Sequence, residues 1–225
     1  SKSNFFSRKT FSSTTNRKAR FESLETRALL AADLAVTDAE QFVEVDLENP
    51  PIGVVIAEGT DGDDVIRAFV DDENILHVIV NGDESTFNSD DIDGIYVLAK
   101  DGNDRVSIDE SVFQWTQIRA GAGDDTVVGG SGNDYIRGGE GNDRIGGRAG
   151  NDLIIGGAGN DIINGGLGND AIAGGAGDDN LNGAQGDDAI AGGSGNDTVN
   201  GGAGNDWLFG DANNDVTDDY QGLVH

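Results

Sequence analysis

An aspartate recurs every nine residues in the second half of the chain, and this spacing restricts the fold more than any other feature. Each of these aspartates follows an Asn or an Asp. The series has no interruption and comprises Asp125, Asp134, Asp143, Asp152, Asp161, Asp170, Asp179, Asp188, Asp197, Asp206 and Asp215. Eleven repeats of one period predict a repeat architecture, in which each unit packs mainly on its neighbours.

The repeat unit reads GGxGxDxUx, where U is a large aliphatic residue, and the first unit starts at Ala120. The fourth place is Gly in ten of the eleven units and Asn213 in the last, which predicts a positive φ there. One aliphatic residue per nine cannot line a helix face, but it can project from a short strand into a narrow core. The eighth place carries Val127, Ile136, Ile145, Ile154, Ile163, Ile172, Leu181, Ile190, Val199, Leu208 and finally Thr217.

Two such units per coil would stack every second unit in parallel at about 4.8 Å, and the aspartates would then form two rows. Neighbouring carboxylates in a row would repel by roughly 3 to 4 kcal/mol at an effective dielectric of about 20. Carboxylate and carbonyl oxygens are hard ligands, and the chain has no Cys and two His, so calcium is favoured over zinc, copper or magnesium. We predict that the eleven aspartates bind calcium, roughly nine ions in the regular repeats, and that calcium triggers folding.

The region before the repeats is rich in Val, Ile, Phe and Tyr and predicts strands rather than helices. Predicted strands cover residues 42–47, 52–57, 65–70, 75–80, 95–99, 106–108 and 112–118. Two segments keep the core of the repeat, one around Asp64 and one around Asp104, and we add both residues to the predicted calcium ligands. We expect the same winding with longer turns, and an independent β-sandwich of about 80 residues is the alternative.

The N-terminal segment differs in charge from the rest of the chain. Residues 1–30 hold seven Lys or Arg against two Glu, whereas the remainder holds seven against forty acidic residues. Residues 1–20 are expected to form a basic arm, and Leu24, Ala28 and Leu29 predict a short amphipathic helix with Ser23 as its cap. The segment from Phe21 to Ala31 also resembles the FExLExRxLLA-type motif, which precedes secreted or surface proteins in some bacteria and is associated with export.

The net charge of −28 argues against nucleic acid as a partner, because phosphate binding needs a basic surface. No apolar run approaches the ~20 residues of a membrane span. No catalytic motif or cofactor site is evident, and we predict that the chain is not an enzyme. His77 is expected to be structural, and Trp115 and Trp207 are expected to fill the core or plug an end.

The nonapeptides resemble those of the RTX, or hemolysin-type, calcium-binding family. The resemblance implies an all-β fold, a right-handed parallel β-roll in which sixth-place Asp side chains and turn carbonyls coordinate calcium between coils. It also implies export through a type I system and folding outside the cell. The predicted divisions are an arm and helix at 1–33, an irregular β-rich region at 34–119, the calcium-binding β-roll at 120–218 and a tail at 219–225.

The function predicted from these observations is that of an extracellular calcium-binding structural protein. Self-association into a cell-surface oligomer, fibre or filament is expected, because a roll exposes strand edges at its ends. Two alternatives remain at this level. One is a secretion and folding module of an RTX toxin or hydrolase, and the other is a calcium-dependent adhesin.

Overall fold

The computed structural model describes residues 51–210 and the strand at residues 216–218. The predicted basic arm, the helix with its export-type motif, the strand at 42–47 and Asp215 lie outside the described residues. The described part of the chain is all-β, as predicted, and its one helical element is a single 3-10 turn at Ser89–Asp91. None of the helices in this part has the length and apolar character needed to cross a membrane.

Seven strands lie upstream of the regular repeats or lead into them. They are β1 (Val54–Glu58), β2 (Val65–Val70), β3 (Ile75–Val80), β4 (Asp83–Asn88), β5 (Gly94–Asp101), β6 (Arg105–Ile108) and β7 (Trp115–Ala122). The predicted bounds of β2 and β3 are confirmed, because both are runs of mainly apolar, β-branched residues between clear turns.

Strand β4 was missed by the sequence prediction. Its residues, DESTFN, are mostly polar and exposed, so no apolar alternation marks them. Asn81 and Gly82 both have positive φ and join β3 to β4 in a two-residue hairpin, in which Val80 pairs with Asp83. An Asn-Gly pair is a hairpin-turn signal in its own right, whereas the polar strand that follows it has no sequence signal.

Within the repeats most strands have six residues and run from the seventh place of one unit to the third place of the next. They are β8 (Thr126–Val128), β9 (Tyr135–Glu140), β10 (Arg144–Ala149), β11 (Leu153–Ala158), β12 (Ile162–Leu167), β13 (Ala171–Ala176), β14 (Asn180–Gln185), β15 (Ala189–Ser194), β16 (Thr198–Ala203), β17 (Trp207–Phe209) and β18 (Val216–Asp218).

The strands form two sheets. The first sheet has the order β1-β5-β7-β9-β11-β13-β15-β17, and the second has the order β18-β16-β14-β12-β10-β8-β6-β2-β3-β4. In the repeats, neighbouring strands are parallel and offset by 18 residues, so Ile154 pairs with Ile172 and Ile172 with Ile190. Two nonapeptides therefore make one coil of a parallel β-solenoid. Strands β1 to β7 belong to the same two sheets, and only the β2-β3-β4 hairpins are antiparallel.

The core lies between the two sheets and is a stack of eighth-place side chains. Every one of them from Val127 to Val199 is buried, and Leu208 packs against the end of the stack. Upstream, Ile66, Val97 and Ile118 continue the same column. Because strand residues alternate between faces, one aliphatic residue per unit is enough to fill so narrow an interior.

Glycine is required where successive coils approach each other. Gly159, at the fourth place, has a φ of +123°, and a β-carbon there would lie 2.0 Å from the carbonyl oxygen of Gly141 in the preceding coil. The positive φ predicted for the fourth place is confirmed in all described units except that of Gly132. The second place also has positive φ in most units, which the sequence analysis did not anticipate, and Arg148 and Ala184 adopt it without being Gly.

Candidate metal sites

The sixth-place aspartates lie in the turns immediately before the strands and are buried. From Asp125 to Asp197 none is more than 3 % exposed, and Asp64 and Asp104 are equally buried. Asp206 is half-buried, and Asp215 lies outside the described residues. A Gly and an Asn or Asp form the turn. The sixth-place Asp that follows is the first buried residue after it.

These aspartates form two hydrogen-bonded rows, one at each edge of the roll. In each row the Oδ1 atom of one Asp accepts the backbone N–H of the preceding Asp, with N···O distances of 2.7 to 2.9 Å. One row contains Asp64, Asp104, Asp125, Asp143, Asp161, Asp179 and Asp197, and the other contains Asp134, Asp152, Asp170, Asp188 and Asp206. The backbone donors were not foreseen from the sequence, and they partly offset the repulsion along each row.

The second carboxylate oxygen, Oδ2, has a different environment. It is buried and has no hydrogen-bond partner among the described residues in Asp104, Asp125, Asp143, Asp152, Asp161, Asp179 and Asp188. A buried acceptor without a donor is costly, and a buried charged one more so. Such oxygens therefore mark positions that a cation or a proton would stabilise.

The backbone places another oxygen beside the carboxylates of Asp143, Asp152, Asp161, Asp179 and Asp188. A β-carbon built on Gly147 would lie 2.2 Å from Asp152 Oδ2 and 2.6 Å from the carbonyl oxygen of Gly165 in the next coil. The same pair of oxygens meets at Gly156, where the distances are 2.2 Å to Asp161 Oδ2 and 2.6 Å to the Gly174 carbonyl oxygen. The first-place Gly thus leaves open a cradle that any side chain would fill, and two acceptors face that space.

This donor set fits calcium. Ca²⁺ takes carboxylate and backbone carbonyl oxygens in a flexible shell, and the turns supply both. No group of three or more His, Cys, Asp or Glu side chains converges on one point within residues 51–210. Each site would therefore consist of one or two carboxylates completed by backbone carbonyl oxygens such as those of the first-place glycines. These glycines could not be identified as ligands from side-chain chemistry alone.

Burial dominates the electrostatics of the rows. It is the largest cause that raises the pKa of Asp152 to about 8 and of Asp125 and Asp161 to about 7, and neighbouring carboxylates add to these shifts. The sequence argument had placed like-charge repulsion first. Desolvation is the larger cause, and it leads to the same requirement for a bound cation or proton at neutral pH.

Two predicted ligands are satisfied by protein donors instead. Asp64 Oδ2 accepts the backbone N–H of Thr60 at 2.6 Å, and its Oδ1 accepts from the Asn81 amide. Asp134 Oδ2 accepts the backbone N–H of Gly130 at 2.7 Å, and its Oδ1 accepts from the Thr116 backbone and hydroxyl. Both carboxylates begin their rows, where no preceding Asp exists, and they have less need of a metal ion than the others.

The remaining singled-out residues lie away from the rows. His77 Nδ1 is 2.6 Å from Glu84 Oε1, His77 Nε2 is 3.0 Å from Asp71 Oδ2, and the ring stacks on Phe69. The side-chain hydrogen bond to Asp71, followed by that to Glu84, raises the pKa of His77. Trp115 packs over Gly94. Trp207 is 58 % exposed on the outer side of β17, the last strand of the first sheet, so it does not fill the core, and its role as an end plug stays a prediction.

The family comparison agrees with this geometry. The model of the RTX calcium-binding nonapeptide repeat (4 copies) matches residues 119–154, 146–181 and 182–217. Comparison with curated proteins and with solved structures found no match. The matched segments cover the coils in which buried carboxylates and turn carbonyls recur every 18 residues. Residues 119–217 therefore belong to the RTX calcium-binding nonapeptide repeats, which bind several Ca²⁺ ions along the roll.

Proposed function

We propose that this chain is an extracellular structural protein whose β-roll winds when it binds calcium and then serves as a rigid subunit of a cell-surface layer or fibre. One observation carries the proposal: along both rows, a buried Asp Oδ2 without a donor faces a backbone carbonyl oxygen of the next coil. At neutral pH this arrangement is unfavourable in the wound chain unless a cation or a proton lies between the oxygens, and calcium is the cation that the donor set fits.

The extracellular location rests on the repeats and on calcium supply. RTX repeats are typical of secreted bacterial proteins. Extracellular modules bind calcium with affinities of about 10⁻⁴ to 10⁻³ M, which suits a medium where the ion is abundant. A chain that stays unwound until it meets calcium would also be suited to export, and the absence of Cys removes any need for disulfide formation.

The calcium ligands that we propose are the sixth-place aspartates of residues 120–218, with Asp104 in the coil before them. Asp64 and Asp134 remain candidates, but their protein donors predict weaker sites. Residues 34–119 would then serve as the irregular first coils of the roll. A structural rather than catalytic role is supported by His77, whose two ring nitrogens are both engaged by Asp71 and Glu84.

Self-association is supported by the strand edges. Among the residues that the structure describes, β1 and β17 are the edges of the first sheet. The strands of this sheet all run in the same direction, so β17 of one copy could pair with β1 of the next. Such stacking would extend the sheet without a change in strand direction.

A calcium titration followed by far-UV circular dichroism tests the proposal. We expect the purified chain to gain β-sheet signal with calcium, and Asp161→Ala to need a higher calcium concentration. Asp178→Ala is the matched control, because Asp178 lies at the exposed fifth place, one coil further along, and also accepts a single backbone N–H. The proposal fails if the parent chain shows full β-signal in excess chelator at neutral pH, or if both variants shift the midpoint equally.

A further inference from the structure

The two outer faces of the roll differ in chemistry. In the first sheet, the seventh and ninth places flank the buried eighth place and therefore face outward. From β7 to β17 the seventh-place row is Gln117, Tyr135, Leu153, Ala171, Ala189 and Trp207. The ninth-place row is Arg119, Arg137, Ile155, Ala173, Ala191 and Phe209. We call these two rows the apolar face, since they contain nine apolar residues and no acidic one.

The equivalent face of the second sheet is polar. Its rows carry mainly Thr, Asn, Ser and Arg, and Asn164, Asn182 and Asn200 form a ladder of side-chain hydrogen bonds. Acidic residues lie in the turns instead. A continuous apolar face on a chain of net charge −28 is therefore a local feature of one sheet, and large apolar patches mark interaction sites.

Residue size changes along the apolar face in an ordered way. In β11, Leu153 and Ile155 project outward, whereas their neighbours in β13 are Ala171 and Ala173. The large residues of β7, β9 and β11 thus occupy one half of the face. Alanines occupy β13 and β15 next to it, and β17 at the end carries Trp207 and Phe209. From β9 to β15 this surface is complementary to itself after reversal of the strand order.

We infer that the apolar face pairs with the same face of a second copy of this chain about a twofold axis that runs parallel to the strands, between β11 and β13. This rotation keeps the strand direction and reverses the stacking order, so β11 faces β13 of the partner. Leu153 then meets Ala171 of the partner subunit, and Ile155 meets Ala173 of the partner subunit. Each contact joins one large and one small side chain, as the interdigitated packing of facing sheets requires.

The next strands, β9 and β15, follow the same rule, whereas β7 and β17 bring large side chains against large ones. Strand β9 faces β15 of the partner, so Tyr135 meets Ala189 and Arg137 meets Ala191. Strand β7 faces β17, which brings Arg119 over Phe209 as a cation–π contact and buries Trp207, now 58 % exposed. The other in-plane twofold axis, along the solenoid, would set Leu153 against Ile155 and Ala171 against Ala173, which produces a clash and a gap.

The area of the face sets the strength of the pairing. Six strands at about 4.8 Å and about 10 Å for the three residues from the seventh to the ninth place give roughly 290 Å² per subunit, or about 580 Å² in total. This is below the standard size of specific protein interfaces, so we expect a weak dimer that forms at high concentration and dissociates on dilution. The inference rests on the proposed function in one respect: the face exists only in the wound roll, and pairing therefore requires calcium.

Sedimentation velocity and circular dichroism of the full chain in calcium test the pairing together. We expect the parent chain to sediment as a dimer of two 23.3 kDa subunits at high concentration. Leu153→Ala opens a gap and Ala171→Leu creates a clash, so each should raise the dimer dissociation constant about tenfold or more, which corresponds to ~1.4 kcal/mol. The double variant exchanges large and small residues across the axis and should restore the dimer.

Ala173→Lys should abolish the dimer, whereas Asn182→Lys, the same place on the second sheet, should not. A monomeric parent chain with an intact calcium response would overturn the pairing without contradicting the calcium-dependent fold. Coverage of the apolar face by residues 1–50 would give this result. A double variant no better than the single ones, or larger oligomers insensitive to Ala173→Lys, would also overturn it. If circular dichroism does not respond to calcium, the proposed function fails, and a dimer of that folded chain would still support the pairing.

Discussion

The Asp152→Asn substitution separates the two effects of a sixth-place carboxylate, the cost of its burial and its binding of calcium. The substitution should stabilise the calcium-free roll and destabilise the calcium-loaded one. Asp152 Oδ1 accepts the backbone N–H of Asp134 at 2.8 Å, and an amide oxygen can accept the same bond. At the Oδ2 position the substitution places an N–H group, which can donate to the Gly165 carbonyl oxygen beside it. In the absence of calcium, the substitution therefore replaces two facing acceptors with a donor and an acceptor.

The size of the calcium-free effect follows from the pKa. Burial raises the pKa of Asp152 from 3.8 to about 8, so keeping this group in the wound roll at pH 7.5 costs on the order of 5 kcal/mol relative to the unwound chain. An Asn side chain has no charged form and therefore no such ionisation cost. In calcium the parent chain should be more stable than the variant, since the amide is a weaker ligand than the carboxylate and cannot neutralise the ion.

Circular dichroism at pH 7.5 measures both effects in one titration. In chelator, Asp152→Asn should show more β-sheet signal and a higher urea midpoint than the parent, and its calcium midpoint should move to higher concentration. Asp178→Asn is the control, because its exposed Oδ1 accepts only the backbone N–H of Asn196 and its side-chain amide. A calcium-free signal that falls in Asp152→Asn, or an equal response in the control, would refute the reasoning.

Three further predictions concern pH, the core and the turns. In chelator, β-sheet signal should increase as the pH falls from 8 to 5. The folded pKa values of Asp125 and Asp152, about 7 and about 8, exceed the ordinary 3.8, so stability is lost as the pH rises through them. Excess calcium should abolish this pH dependence. In calcium, Ile163→Ala should cost about 2 to 5 kcal/mol in urea unfolding and the adjacent, 47 % exposed Ile162→Ala less than about 1 kcal/mol, so equal losses would contradict the core assignment. Gly159→Ala should lower the melting temperature because its β-carbon would meet the Gly141 carbonyl oxygen, whereas Gly146→Ala, with no atom within 4 Å, should not.

The repeat period predicts much of the fold. Each unit supplies one turn and one strand, so one unit cannot close a coil of two opposed strands, whereas two units can, and this places Ile154, Ile172 and Ile190 in one stack. The division of the aspartates into two rows follows from the same arithmetic. In the irregular region, runs of mainly apolar, β-branched residues located β2 and β3. Polar β4 has no such run and is held by the Asn81-Gly82 turn and its pairing with β3.

The candidate sites were only partly accessible to sequence reasoning. The carboxylates were evident from their period, and calcium followed from their chemistry. Neither the N–H groups that bind each Oδ1 nor the carbonyl oxygen of Gly165 beside Asp152 could be located, because every repeat has the same backbone groups. The exceptions, Asp64 and Asp134, depend on Thr60, Asn81 and Thr116, whose roles no spacing indicates.

The sequence by itself determined the coil length, the core residue of each unit and the type of ion, because these depend on periodicity and on ligand chemistry, which are local properties. Only the tertiary structure decided which oxygens face each other across coils and which sheet presents an apolar surface. Both depend on how residues 18 apart are brought into contact. Burial between coils then determines the free energy of each carboxylate, and that burial exists only when the chain is wound.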